Sequence, residues 1–125
     1  MIGVDQVMLD RWVDARRYAL MRLDIAGCEM FALEGAMDCL AVANPPAILI
    51  ALDAALTEFG SAPVHVAEWL AARGYETILY DADRHKLDYV GEPWLRRRLV
   101  LAIAQSARND VSRRLADYTP AAANA

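Results

Sequence analysis

The sequence predicts an α/β layer fold: a small, mostly parallel sheet flanked by helices, with a long carboxyl-terminal helix. Three observations carry this prediction. Short apolar runs alternate with stretches of helical periodicity, an order that calls for parallel strands joined by crossover helices. Of the 125 residues, 57% are hydrophobic and 24% charged, which suits one packed domain and excludes wholesale disorder. The longest apolar runs, 47–52 and 99–104, fall far short of the roughly 18 residues a membrane-spanning helix needs.

Each element follows from its local pattern. Residues 4–9, with Val4, Val7 and Leu9 among polar neighbours, read as a short extended piece, followed by a turn or short helix over 10–15. The run 18–24 (YALMRLD) is mostly apolar, ends in an acid and precedes Gly27, as a buried parallel strand ends at a loop. Residues 29–43 form a helix on the spacing of Met30, Leu33, Met37, Leu40 and Ala41, stopped by Asn44-Pro45-Pro46. The run 47–52 (AILIAL) is a second buried strand, bounded by the prolines and Asp53. Residues 63–73 form a helix with Gly74 just past its end, and 75–80 (YETILY) a third strand. Residues 87–90 are a candidate fourth strand. Residues 92–115 read as one long amphipathic helix, with Leu95, Leu99, Ile103, Ala107 and Val111 on one face. Residues 119–125 are a small-residue, flexible tail.

Charge and cysteine usage narrow the function classes. The net charge is -4, which gives no argument for nucleic acid as a partner. The charge is uneven: residues 1–91 hold 7 basic and 14 acidic groups, and residues 92–125 hold 6 basic and 3 acidic groups. The arginines at 96, 97, 98, 108, 113 and 114 read as the solvated basic face of the last helix. The amino terminus has an acid at position 5 and no basic n-region, so it does not read as a signal peptide. Cys28 and Cys39 are eleven residues apart, ~16 Å along a helix and beyond disulfide reach, and read as reduced core residues of a cytoplasmic protein. His65 and His85 lie in unrelated segments with no partner at metal-ligand spacing, so no metal is expected. No Gly-x-Ser-x-Gly supports a hydrolase.

A family resemblance rests on a series of short motifs. They are Val7-Met8-Leu9-Asp10, Ala19 through Glu29 (ALMRLDIAGCE), Leu33-Glu34-Gly35-Ala36, Ile48-Leu49-Ile50-Ala51 and Gly74-Tyr75. In order and spacing the chain resembles the carboxyl-terminal half of FkbM-type methyltransferases, over residues 4–90. That family carries Thr-Leu-Asp, a strand ending Lys-Ile-Asp-Val-Glu-Gly-Ala-Glu, a helix with Leu-Arg-Gly-Ala, a strand of the type Ile-Leu-Val-Glu, and a Gly-Tyr pair. The resemblance implies a partial Rossmann-like, class I methyltransferase-type sheet. It divides the chain into 1–91, the half-domain, then 92–118, the basic helix, and the tail 119–125. The implied activity is S-adenosylmethionine-dependent methyl transfer to the hydroxyl of a small molecule or glycan. The implied site residues are Asp24, which would orient the reacting groups, and Glu29, which would brace the loop carrying Asp24. The family's glycine-containing cofactor loop has no counterpart among the six glycines of this sequence. Ala26 and Ala51 stand where the family has glutamates, and Asp53 lies near enough to Ala51 to substitute in part. Asn44-Pro45-Pro46 resembles the Asn-Pro-Pro-aromatic loop of amino-group methyltransferases, but it follows a helix and lacks the aromatic, and it reads as a helix stop.

Two function classes therefore stand at this point. One is the substrate-side half of an O-methyltransferase; the other is a non-catalytic interaction module that keeps the fold. A homodimer through an open edge at strand 18–24 is a further expectation, because unpaired apolar edges are templates for pairing.

Overall fold

A computed structural model describes residues 17–117. Five strands form one open sheet: β1 (Leu20–Leu23), β2 (Ala47–Ala51), β3 (Tyr75–Asp81), β4 (Lys86–Asp88) and β5 (Leu99–Ala104), in the order β1-β2-β5-β3-β4. Among the described residues four α-helices accompany them: α1 (Glu29–Glu34), α2 (Met37–Ala41), α3 (Pro63–Ala71) and α4 (Arg108–Asp117). A six-residue 3-10 helix over Ala54–Phe59 follows β2.

The α/β class agrees with the sequence prediction, but the sheet is not mostly parallel. Only β1 and β2 pair in parallel; β5 runs antiparallel to both β2 and β3, and β4 antiparallel to β3. The cause is β5. The segment predicted as one helix over 92–115 instead holds a 3-10 turn at Pro93–Leu95, the strand β5, a 3-10 turn at Gln105–Ala107 and only then α4. A six-residue apolar run fits a buried strand and a buried helix equally well by periodicity. The open gap between β2 and β3 decides in favour of the strand: filling it pairs the inner edges of two strands at once.

The helix predicted over 29–43 is two helices, parted at Gly35 and Ala36. The Gly35 N–H bonds back to Phe31, and the Ala36 N–H to Leu33 three residues away, which tightens the turn. Glycine is the weakest helix former short of proline, so the break falls there. Both halves still bury Leu33, Ala36 and Leu40.

The main hydrophobic cluster lies on one side of the sheet, while Ala51, Ile78 and Ile103 are buried on the other. Leu23, Ile48, Ile50, Val100, Ala102, Ala104 and Tyr75 face Leu33, Leu40, Leu56, Val66 and Leu70 of the connecting segments. The prolines that end α2 also tie the lower sheet together. The Tyr75 hydroxyl donates to the Pro45 carbonyl at 2.6 Å, the Ala104 N–H donates to Pro46 at 2.8 Å, and the Asn44 side chain accepts from the Tyr18 N–H at 3.0 Å. Burial pushes the Tyr75 phenol up to about 12. Among the described residues no helix is long and apolar enough to cross a membrane. The predicted elements at 4–9 and 10–15 and the tail 119–125 lie outside the described residues.

Candidate functional site

The carboxyl ends of β1 and β2 are neighbours, because the two strands pair in parallel. The chain leaves β1 at Asp24 and β2 at Leu52-Asp53, so two carboxylates stand on one rim. β5 is antiparallel to β2 and therefore begins at that same rim. Its preceding residue is Arg98, whose carbonyl accepts the Leu52 N–H at 2.8 Å. Three separate chain segments thus converge on one end of the sheet, where α/β sheets place their ligands.

Arg98 joins the two acids. Its guanidinium donates to both Asp24 carboxylate oxygens, at 2.7 and 3.1 Å, and lies 3.8 Å from Asp53. Arg22 adds a longer ion pair to Asp24 at 3.8 Å. The hydrogen bond from Arg98 holds the Asp24 carboxyl below its usual range, and Asp24 raises Arg98 in return. The Asp24 side chain stays 28% exposed, so a ligand arriving from solvent can reach it. Each carboxylate oxygen has a further lone pair beyond the one that Arg98 occupies, and can accept a hydrogen bond from a hydroxyl.

Glu29 does something different. It lies in the first turn of α1 and is fully buried. Its carboxylate accepts the Gly27 N–H through both oxygens at 3.1 Å and the Ile25 N–H at 3.3 Å. A short loop needs such a partner, because its backbone donors have no strand or helix to bond. Glu29 therefore holds the loop that carries Asp24 and does not itself face solvent. Ala26 and Gly27 both adopt positive φ, 53° and 102°. Gly27 is pressed against the loop after β2: a Cβ there would overlap the Ala55 carbonyl oxygen and lie 2.8 Å from the Phe59 ring. Asp53 caps that second loop by accepting the Ala55 N–H at 2.9 Å. Phe31 and Phe59 meet edge to face across the two loops, with ring centroids 6.3 Å apart.

The structure brings Asp24, Asp53 and Arg98 together and sets Glu29 behind them. Arg98 is the residue that sequence reading missed. The sequence pattern reads it as part of the solvated face of a helix, whereas Arg96, Arg97 and Arg98 precede a strand. The available signal was its position directly before an apolar run of strand length. The basic helix also dissolves as a unit. Arg108 lies 4.0 Å over the Tyr89 ring and 3.6 Å from Glu76, while Arg113 and Arg114 both pair with Asp110. Cys28 and Cys39 are free thiols, and among the described residues no three metal-ligating side chains converge.

The residues at this rim do not fit S-adenosylmethionine. Among the described residues, Gly27 is the glycine beside the site, and its backbone is packed against the Ala55 carbonyl where a cofactor cradle would need open space. No family model, curated protein or solved structure matches the chain.

Proposed function

We propose that this chain is the substrate-side part of an α/β domain of the FkbM-type O-methyltransferase kind, with Asp24 as the group that positions a substrate hydroxyl. The observation that supports it best is the rim itself: Asp24 and Asp53 at the carboxyl ends of adjacent parallel strands, clamped by Arg98. The finer, Rossmann-like reading of the sheet draws support from strand direction. β1 and β2 are parallel, and β2 and β3 both run opposite to β5, so all three point their carboxyl ends the same way.

In this reading Arg98 keeps Asp24 ionised and fixed in direction, and Asp24 accepts the hydrogen bond of a hydroxyl-bearing small molecule or glycan. Glu29 keeps the loop from relaxing away. Positioning of this kind is the main task a protein has in a displacement at a methyl group. S-adenosylmethionine is the donor that the resemblance implies. The described residues offer it no cradle, so no step is assigned to contacts with it.

A second reading, the non-catalytic interaction module, is favoured by Ala26 and Ala51, which leave the rim without two carboxylates. The two readings separate experimentally. Calorimetric titration of this chain with S-adenosylmethionine should show no micromolar binding; a dissociation constant of a few micromolar would reveal a cofactor site that the rim does not show. Translation of the DNA upstream of Met1 distinguishes them further: an in-frame Asp-x-Gly-Ala-Asn-type loop would support the methyltransferase reading, and its absence the interaction module. In a protein containing that loop, Asp24→Asn should lower methyl transfer to hydroxyl acceptors; unchanged turnover would leave Asp24 structural and favour the interaction module. The same reading makes β1, the edge strand of the described sheet, the seam for a homodimer, which light scattering behind a sizing column would detect.

A further inference from the structure

The sheet face opposite the main hydrophobic cluster carries a groove of its own. Ladder register places Arg22, Leu49 and Leu101 in one row across β1, β2 and β5, and Ala51 and Leu99 in another row on that same face. The intervening rows, with Ile48, Ile50 and Val100, point into the core. Ile48, Ile50 and Val100 are buried; on the groove face Ala51 and Ile78 are buried too, whereas Leu49, Leu99 and Leu101 are only partly so. With Tyr80 and Ala82 at the end of β3, and Arg97 and Arg98 at the rim, these leucines line a groove of about 370 Å³. That is the size of a small-molecule site.

The charge on this groove is one-sided. Among the described residues no carboxylate lines it. Arg98 is turned toward Asp24, but Arg97 has no carboxylate within ion-pair distance among the described residues. Three leucines on one sheet face, with a guanidinium at the mouth that pairs with no described carboxylate, match a ligand built the same way, with an apolar body and one anionic end. The planar fork of arginine suits a carboxylate in particular.

We propose that this groove binds a small amphipathic monocarboxylate, its apolar body on Leu49, Leu99 and Leu101 and its carboxylate on Arg97. The proposal goes beyond the methyl-transfer reading and does not depend on it, since it uses neither Asp24 as a positioning group nor a cofactor. The probe is decanoate, titrated into the full chain while the leucine methyl resonances are followed. Saturable shifts are expected at Leu49, Leu99 and Leu101. Arg97→Ala should weaken binding about fivefold, the worth of a partly exposed ion pair. Arg97→Glu should abolish it. Octanoate should bind up to about fourfold more weakly per methylene removed. Decanol, with the same chain and no charge, should resemble decanoate on the Arg97→Ala variant. Arg97 is exposed and bonds nothing in the core, so both variants should keep the native methyl spectrum elsewhere.

Absence of saturable shifts with millimolar decanoate, shifts mapping elsewhere, or equal affinity for decanol and decanoate would overturn the proposal. So would shielding of the three leucine methyls from a soluble paramagnetic probe in the ligand-free protein. Shielding that appears with dimer formation would assign the face to a second copy; shielding already present in the monomer would assign it to another part of this chain.

Discussion

Asp24 and Glu29 are five positions apart in the chain and sit on opposite sides of one loop. Asp24 is solvent-facing and held by a side chain, Arg98; Glu29 is fully buried and holds backbone N–H groups. The difference teaches what each carboxylate is for. A buried acceptor bound to backbone donors sets the shape of the loop, because its loss strands those donors away from water. An exposed acid held by an arginine sets the charge and direction of a rim that ligands can touch, and contributes little to stability.

That contrast can be broken most severely at Gly27, on the buried side. Gly27→Ala forces a side chain into positive φ and against the Ala55 carbonyl, and should cost about 3 kcal/mol or more. Chemical denaturation would measure it; a cost below about 1 kcal/mol would mean the loop after β2 moves aside readily.

At the far end of the sheet, burial again decides. Tyr75 is 1% exposed and its phenol is pushed up to about 12 from 10.0. The folded state therefore favours the protonated form. Its contribution is complete below about pH 10 and is lost as pH rises from about 10 to 12, by about 2 to 3 kcal/mol at one pKa unit per 1.36 kcal/mol. Denaturation midpoints against pH would show this slope in the native protein, and Tyr75→Phe should flatten it.

Glu29→Ala should cost about 2 kcal/mol by leaving the Gly27 and Ile25 N–H groups without their acceptor. Amide exchange at Gly27 should accelerate with it. Slow exchange in the variant would show that water or another group replaces the carboxylate.

The smallest effect belongs to Asp24. Asp24→Asn should barely move the thermal midpoint at neutral pH. Because Arg98 depresses the Asp24 carboxyl, its stabilising contribution is present above the ordinary carboxylate range and is lost as pH falls through the depressed value. The variant should remove that acid-side dependence alone. A large loss of stability at pH 7 would make Asp24 a structural residue like Glu29 and erase the distinction between them.

Much of the architecture is legible in the residues. The apolar run AILIA becomes β2, YETILYD becomes β3, and the proline at the start of residues 63–71 opens α3 as its fixed φ favours. Gly27 and Glu29 also announce themselves locally: a glycine follows the acid that ends β1, and an acid follows in the first helical turn. These features depend on neighbours in sequence, through steric limits on φ and bonds that span two to four residues.

The partnership across the chain, by contrast, comes from contacts between distant segments. LVLAIA carries no periodicity that separates strand from helix, and its state was settled by the unfilled edges of β2 and β3. Once β5 occupies that gap antiparallel, Arg98 arrives at the carboxyl ends of β1 and β2, 74 residues from Asp24. Leu49, Leu99 and Leu101 come to share a face for the same reason. Pairing energies between distant segments do not appear in any local pattern. The composition and periodicity of this sequence therefore specify an α/β sheet and its acidic loop, while the arginine that completes the rim is chosen by strand order and direction.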